Sequence, residues 1–313
     1  NRELEGVTGV QAPDDTTLVF ELVSKDPHFL QKLASPYGVV YPRQAVSGTA
    51  QNRSFSAVGT GPFKLSQQRG DSLYILVQNK KYRQKGVPAI DRLDIRVRRR
   101  ESTLFKDLAE GDVHLIPEIG PATMQTVMDS TGSLRSQYRD RFTLDKTEAL
   151  TYYEFIFYPE SAYGLESVIW AMSKADKKGL LPGIPSGLKQ INLNVEKNLP
   201  SPDTVESPLL TTYADDPFMR YFITQLTNQL QPAGVDLEMS RIRTPNINTA
   251  FFFTRHAPLY TGDPPPSISH TLADFSIRQT ALRINELKNL SFNKYPWWID
   301  LRRVELPGID QLQ

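Results

Sequence analysis

The chain has 313 residues, a length that suits two domains, and its 39% hydrophobic and 23% charged residues describe a globular chain able to bury a sizeable core. Its formal net charge is only +1, so no global field favours nucleic acid or an anionic membrane. Cysteine is absent, which excludes disulfides, iron–sulfur clusters, cysteine–zinc sites and thiol catalysis, and no run of about 18 apolar residues exists to span a bilayer as a helix.

Residues 10–23 read as strand, turn, strand. Ala12-Pro13-Asp14-Asp15 supplies turn chemistry, and residues 17–23 alternate as a half-buried strand does. Pro27 opens a short helix through Phe29, Leu30 and Leu33, which ends near Ser35-Pro36-Tyr37-Gly38. The segment Val58-Gly59-Thr60-Gly61-Pro62-Phe63-Lys64-Leu65 reads as a tight glycine turn feeding a strand. Strand-like runs follow at 63–65 and 73–77, then a polar loop at 79–88. A further strand is expected where Leu93, Ile95 and Val97 alternate with charged residues. Ser102 is expected to cap a helix carrying Leu104, Phe105 and Leu108, which stops at Gly111. Val113 and Leu115 fit a short buried strand, and Pro121 a first helical position before Met124, Val127 and Met128.

Residues 180–208 are rich in proline, serine and asparagine and read as a long surface connection. A second α/β unit follows. Residues 209–213 form a strand, and Asp216-Pro217 caps a helix with the apolar stripe Phe218, Phe222, Ile223, Leu226 and Leu230. Gly234 ends the helix, and Val235, Leu237 and Met239 alternate into a strand. Strand–helix–strand at this spacing favours a mainly parallel sheet. Gly262-Asp263-Pro264-Pro265-Pro266-Ser267 reads as a second rigid loop.

Several stretches invite a chemical reading, and each has a plainer one. Gly59-Thr60-Gly61 is followed by Pro62 and a strand, so it fits neither a Walker loop nor a dinucleotide loop. The four histidines, His28, His114, His256 and His270, show no ligand spacing, so no metal is expected. No nucleophile elbow is present, and the carboxylate pairs sit at turns and caps, so no catalytic residue and no enzyme activity is expected. Arg96, Arg98 and Arg100 would share one strand face. A solvated face explains them without nucleic acid, since aromatic interleaving is lacking. The aromatic clusters Phe251-Phe252-Phe253 and Tyr295-Pro296-Trp297-Trp298 suit either core packing or a ligand cleft.

The order of these elements resembles a known family. Val10-Gln11-Ala12-Pro13-Asp14-Asp15-Thr16-Thr17-Leu18-Val19-Phe20, Pro42-Arg43-Gln44-Ala45, Val58 to Leu65, Asn79-Lys80-Lys81-Tyr82, the run from Lys85-Gly86 to Leu93, and Ser102 to Ile116 are similar to successive motifs of the family 5 extracytoplasmic solute-binding proteins. These are the dipeptide-, oligopeptide- and nickel-binding receptors of ABC importers. In the second half, Ala171-Met172-Ser173-Lys174-Ala175-Asp176 and Pro296 to Leu301 resemble the family more loosely. Family members are longer, and the resemblance begins where their first lobe is well advanced.

The resemblance implies an α/β, periplasmic-binding-protein-like bilobal fold of type II (cluster C), with mixed sheets flanked by helices and the first lobe incomplete. Residues 1–150 with 296–313 would form the partial lobe I, and residues 151–295 lobe II, with a hinge near 148–158 and again near the C-terminal strand. It implies the substrate-binding component of an ABC importer, capturing a short peptide or similar polar solute, with a membrane permease as partner and no cofactor. The location implied is periplasmic or extracytoplasmic, with a lipoprotein anchor compatible. The alternative is the ligand-sensing domain of a transcription regulator with the same fold, which would be cytoplasmic and would not itself touch nucleic acid. Residues 253–263 align with the family's ligand-contacting stretch. Asp263 is expected to anchor a ligand amine or cap its loop, and Tyr260 stands near the usual tryptophan position. Arg255 and Arg220 are candidates for a ligand carboxylate, because a guanidinium forks carboxylates. Tyr213 and Phe253, at predicted strand ends, are candidate wall residues.

Overall fold

The computed structural model describes residues 9–27, 29–34, 38–40, 42, 45–49, 52–55, 58–197, 199–204, 207–241, 246, 248–256, 271–292 and 299–307. The chain divides into two compact units, Asn1–Val40 and Tyr41–Gln313. In the first, strands β1 (Val10–Gln11) and β2 (Val19–Phe20) pair antiparallel, and helix α1 (Phe29–Leu33) follows. The turn between the strands is set by Asp14, whose carboxylate accepts from the amide and the hydroxyl of Thr16, each at 2.8 Å. Those bonds hold the Asp14 carboxyl below its ordinary value. Phe20 and Phe29 meet edge to face at 5.2 Å.

The second unit opens with the hairpin β3 (Val46–Thr49) and β4 (Asn52–Phe55). A three-stranded antiparallel sheet follows, made of β5 (Phe63–Arg69), β6 (Leu73–Gln78) and β7 (Arg92–Arg96). The glycine turn before β5 is held by Asn79, whose amide donates to Pro62 O and whose side chain donates to Gly61 O, both at 2.8 Å. Gly59 and Gly61 lie outside the left-handed region, so the turn relies on this clamp rather than on glycine's special backbone.

Helix α2 (Glu101–Glu110) begins two residues earlier than the sequence suggests. Arg100, not Ser102, stands at the N-cap and makes no side-chain cap bond, and Glu101 instead accepts from the Thr123 amide at 2.6 Å. A tertiary partner thus overrides the local capping preference of serine. Gly111 ends α2 at φ +85°, as expected. Arg98 has left the strand and bridges to Asp107 on α2 at 2.7 Å, so the arginine run does not form one strand face.

Strand β8 (Leu115–Ile116), helix α3 (Pro121–Val127) and the short α4 (Ser136–Arg139) lead into β9 (Phe142–Phe157). Helix α5 (Leu165–Ser173), β10 (Lys189–Leu193), β11 (Leu209–Thr212), α6 (Pro217–Leu230), β12 (Leu237–Ser240), β13 (Phe251–His256) and β14 (Thr271–Ile284) complete the main layer. The short pair β15 (Ser291–Phe292) and β16 (Ile299–Asp300) closes the described chain. The principal sheet runs β10-β14-β9-β13-β11-β12, with β8 also pairing with β14. β11 is parallel to both β12 and β13, whereas β9 is antiparallel to β13 and β14. This makes a mixed α/β layer.

Residues 180–193 are not the surface connection that the composition suggests, whereas the described residues from 194 to 208 are exposed or half-buried and carry no strand or helix. Leu180, Leu181, Ile184, Leu188 and Ile191 are buried, and β10 forms the edge of the sheet against β14. Apolar residues set among prolines and asparagines bury themselves wherever a neighbouring strand offers its edge.

The core lies between the sheet and α6. Tyr153, Phe155, Phe251, Phe253 and Phe275 share the helix-facing side, where Phe222 stacks on Phe275 at 5.3 Å and meets Phe253 edge to face at 5.2 Å. On α6, Phe218, Phe222, Ile223, Leu226 and Leu230 are all buried, at the helical spacing that placed them on one stripe. Along the β9–β14 ladder the register breaks once in the middle. Arg278 faces Leu150 and Thr280 faces Lys146, so three residues of β9 oppose Gln279. The bulge is tied internally, with Thr147 Oγ1 donating to Gln279 O at 3.1 Å and Arg278 Nη1 donating to Thr147 O at 3.0 Å.

Candidate functional site

The parallel arrangement of β11 and β13 brings their carboxyl ends to the same edge as the N-terminus of α6. Ligands of open α/β sheets characteristically bind at such an edge. A pocket of about 390 Å³ opens there, lined by Ala214, Asp215, Asp216, Met219, Phe253 and Arg255.

Asp216 organises it. As N-cap of α6 it accepts from the amides of Phe218 and Met219 at 2.8 and 3.1 Å, which satisfies two helix-end donors. Its other oxygen lies 3.3 Å from Arg255 Nη1 and accepts from the Tyr153 hydroxyl at 3.4 Å. The Asp216 side chain is only 7% exposed. A cation beside a helix N-terminus opposes the helix dipole, and Asp216 supplies the negative charge that makes Arg255 acceptable there.

Arg255 reaches this place because it sits opposite Tyr153 in the β13–β9 register, on the α6 side of the sheet. Its guanidinium carbon lies 6.0 Å from the Tyr153 ring centre. Glu118, in the connection between β8 and α3, accepts from Nη2 with both oxygens, at 2.9 and 3.2 Å. Burial works against the charge of Arg255, but the Tyr153 oxygen, Glu118 and Asp216 outweigh it and hold the guanidinium firmly protonated. Tyr153 moves the opposite way from a reactive phenol. Its burial, and then the negative charge of Asp216, push its pKa well above the usual tyrosine value, so it stays a hydrogen-bond donor.

Phe253 and Arg255, both expected as binding residues from sequence, line the pocket together. Arg220 reaches its rim through Asp215, at 2.5 Å. Tyr213 is buried at 4% exposure, one residue before the lining begins. Tyr260 and Asp263 lie outside the described residues, as do His28, His270 and the cluster Tyr295-Pro296-Trp297-Trp298. Glu118 and Tyr153 were not legible as site residues. Glu118 is separated from Arg255 by 137 positions, and Tyr153 reads as one more aromatic in a strand. Asp216 was legible only as a helix cap. Among the described residues no group of three or more histidine, aspartate or glutamate side chains could hold a metal ion.

Residues 2–160 match the model of the bacterial extracellular solute-binding proteins, family 5 Middle. No curated protein sequence matches the chain. Several solved structures share its fold. NikA from Staphylococcus aureus, in complex with Ni(L-His)2, is 14% identical with a TM-score of 0.67, over 95% of this chain and 79% of that one. The dipeptide binding protein from Pseudoalteromonas sp. SM9913, in complex with Met-Leu, is 12% identical with a TM-score of 0.69, over 96% and 77%. The oligopeptide-binding protein AppA from Bacillus subtilis, in complex with a nonapeptide, is 12% identical with a TM-score of 0.61, over 95% and 77%.

Proposed function

This chain belongs to the bacterial extracellular solute-binding proteins of family 5, and we propose that it is the substrate-binding component of an ABC importer, capturing a short peptide or similar polar solute at the pocket between β13 and the N-terminus of α6. The observation that carries this reading is the joint presence of an apolar wall, Phe253 and Met219, with opposite charges, Arg255 and Asp215, on one pocket of about 390 Å³. A short zwitterionic solute offers the same mixture, with apolar side chains between charged ends. Aromatic and thioether surface accepts varied side chains at low entropic cost, while charged groups fix the ends. The capture is binding only, and its energy shifts the balance between open and closed forms. The tied bulge at Thr147 and Gln279 is an irregularity inside the long β9–β14 ladder from which such a movement would start.

The test is a thermal-shift and calorimetric screen with di-, tri- and longer peptides, sugars and metal ions. A ligand that binds the folded state alone, at a hundred times its dissociation constant, stabilises by about 2.7 kcal/mol. The expected result is stabilisation by one or more peptides, reduced at least about tenfold in affinity by Arg255→Gln. Stabilisation by none of the peptides would overturn the peptide reading, and full binding by the Arg255→Gln protein would overturn the site.

A further inference from the structure

The two carboxylates on Arg255 are not equivalent. Asp216 is 7% exposed and engaged by two backbone amides and the Tyr153 hydroxyl, so it cannot leave without uncapping α6. Glu118 is 28% exposed, and among the described residues its carboxylate is bonded to Arg255 alone. Arg255 itself keeps 39% of its side chain exposed on the pocket. The backbone that carries Glu118 is anchored on either side of it. Ile119 N donates to Thr280 O at 2.9 Å, and Gln279 Nε2 donates to Pro117 O at 3.3 Å. Glu118 can therefore swing its side chain away while its main chain stays in place.

We propose that Glu118 is an internal competitor for the ligand: it occupies on Arg255 Nη2 the place that a ligand carboxylate takes, and it is displaced when an anionic solute binds. This rests on the pocket being the solute site and adds to it the chemistry of the recognised group and the residue that sets the affinity. A ligand bringing a carboxylate exchanges one charge-assisted pair for another, so it gains less from Arg255 while Glu118 is present than it would without Glu118. A neutral ligand has nothing to exchange and leaves the Glu118–Arg255 pair intact. Glu118 thereby lowers affinity for every anionic solute alike and leaves discrimination among them to the rest of the pocket.

Two probes separate this claim from the peptide reading. The first is inorganic phosphate, whose effect on melting temperature needs no peptide site. The expected result is that Glu118→Gln binds phosphate at least about threefold more tightly than the unaltered protein, and that Glu118→Gln with Arg255→Gln loses the gain. Glu118→Ala serves as a second variant, and circular dichroism checks that each protein is folded. Equal phosphate dependence with and without Glu118, or a gain that survives loss of Arg255, overturns the proposal whatever peptides do. The second probe is a binding dipeptide compared with its C-terminal amide. Glu118→Gln should tighten the free acid and leave the amide unchanged, and equal tightening of both would overturn displacement by a carboxylate. If phosphate behaves as expected and no peptide binds, the peptide reading fails while the competition at Arg255 stands.

Discussion

Asp216 Oδ2 lies 3.3 Å from Arg255 Nη1 while Oδ1 of the same carboxylate caps α6. One side chain thus satisfies a helix end and holds the cation of the pocket, and two substitutions separate the roles. Asp216→Asn keeps an oxygen for the cap and loses the charge. Asp216→Ala loses both, and its lost cap alone should cost about 1 kcal/mol, within a range of about 0.5–2. Urea denaturation should rank wild type above Asp216→Asn and Asp216→Ala last, and equal midpoints for all three would show that the cap carries no stability.

Phe222 ties α6 to the sheet. It is fully buried and touches Phe155, Phe253 and Phe275 at ring-centre distances of 5.6, 5.2 and 5.3 Å. Phe222→Ala should destabilise by about 3–5 kcal/mol, through lost burial and the cavity it leaves. A loss below about 1 kcal/mol in chemical denaturation would mean that α6 does not close the core.

Two glycines should respond differently to alanine. Gly111 sits at φ +85°, where a Cβ is strained whatever the space around it. Gly111→Ala should cost about 1–2 kcal/mol. Gly61 has an ordinary φ, and the nearest atom to an added Cβ is Phe63 O at 3.9 Å. Gly61→Ala should stay within about 0.5 kcal/mol of wild type. A reversed order in thermal unfolding would refute this reading of the turn.

His114 gives stability a pH dependence. Burial, and then the charge of Arg96, lower its pKa below the ordinary 6.5. As pH falls through 6.5 the unfolded chain takes up this proton and the folded chain does not, so stability drops until the lower folded value is passed. Above 6.5 both states are neutral and the contribution is flat. His114→Gln should remove this part of the slope below about pH 6.5. Denaturation midpoints at several pH values would show it, and an unchanged slope in the variant would exclude His114 as its source.

Local signals carried much of the fold. Asp216-Pro217 as cap and first helical residue, Gly111 as helix stop and the Phe218-to-Leu230 stripe are decided within a few residues, by backbone hydrogen bonding and the helical period. Composition misled at 180–193, because proline and asparagine describe the chain between anchors while Ile191 is buried in a strand paired with β14. Ser102 misled for a similar reason, since Glu101 finds its partner at Thr123 in another helix.

The amino-acid sequence by itself determined α6 with its flanking strands β11 and β12, the family and two of the pocket's residues, Phe253 and Arg255, because these follow from patterns that neighbours along the chain share. The long strands β9 and β14 were not legible in it. What Arg255 meets was decided by tertiary structure alone. The β13–β9 register sets it beside Tyr153, the end of β11 delivers Asp216, and the link from β8 to α3 delivers Glu118. Those partners stand 102, 39 and 137 positions away along the chain. Electrostatic pairing acts over a few ångströms of space, and separation along the chain gives no measure of that distance.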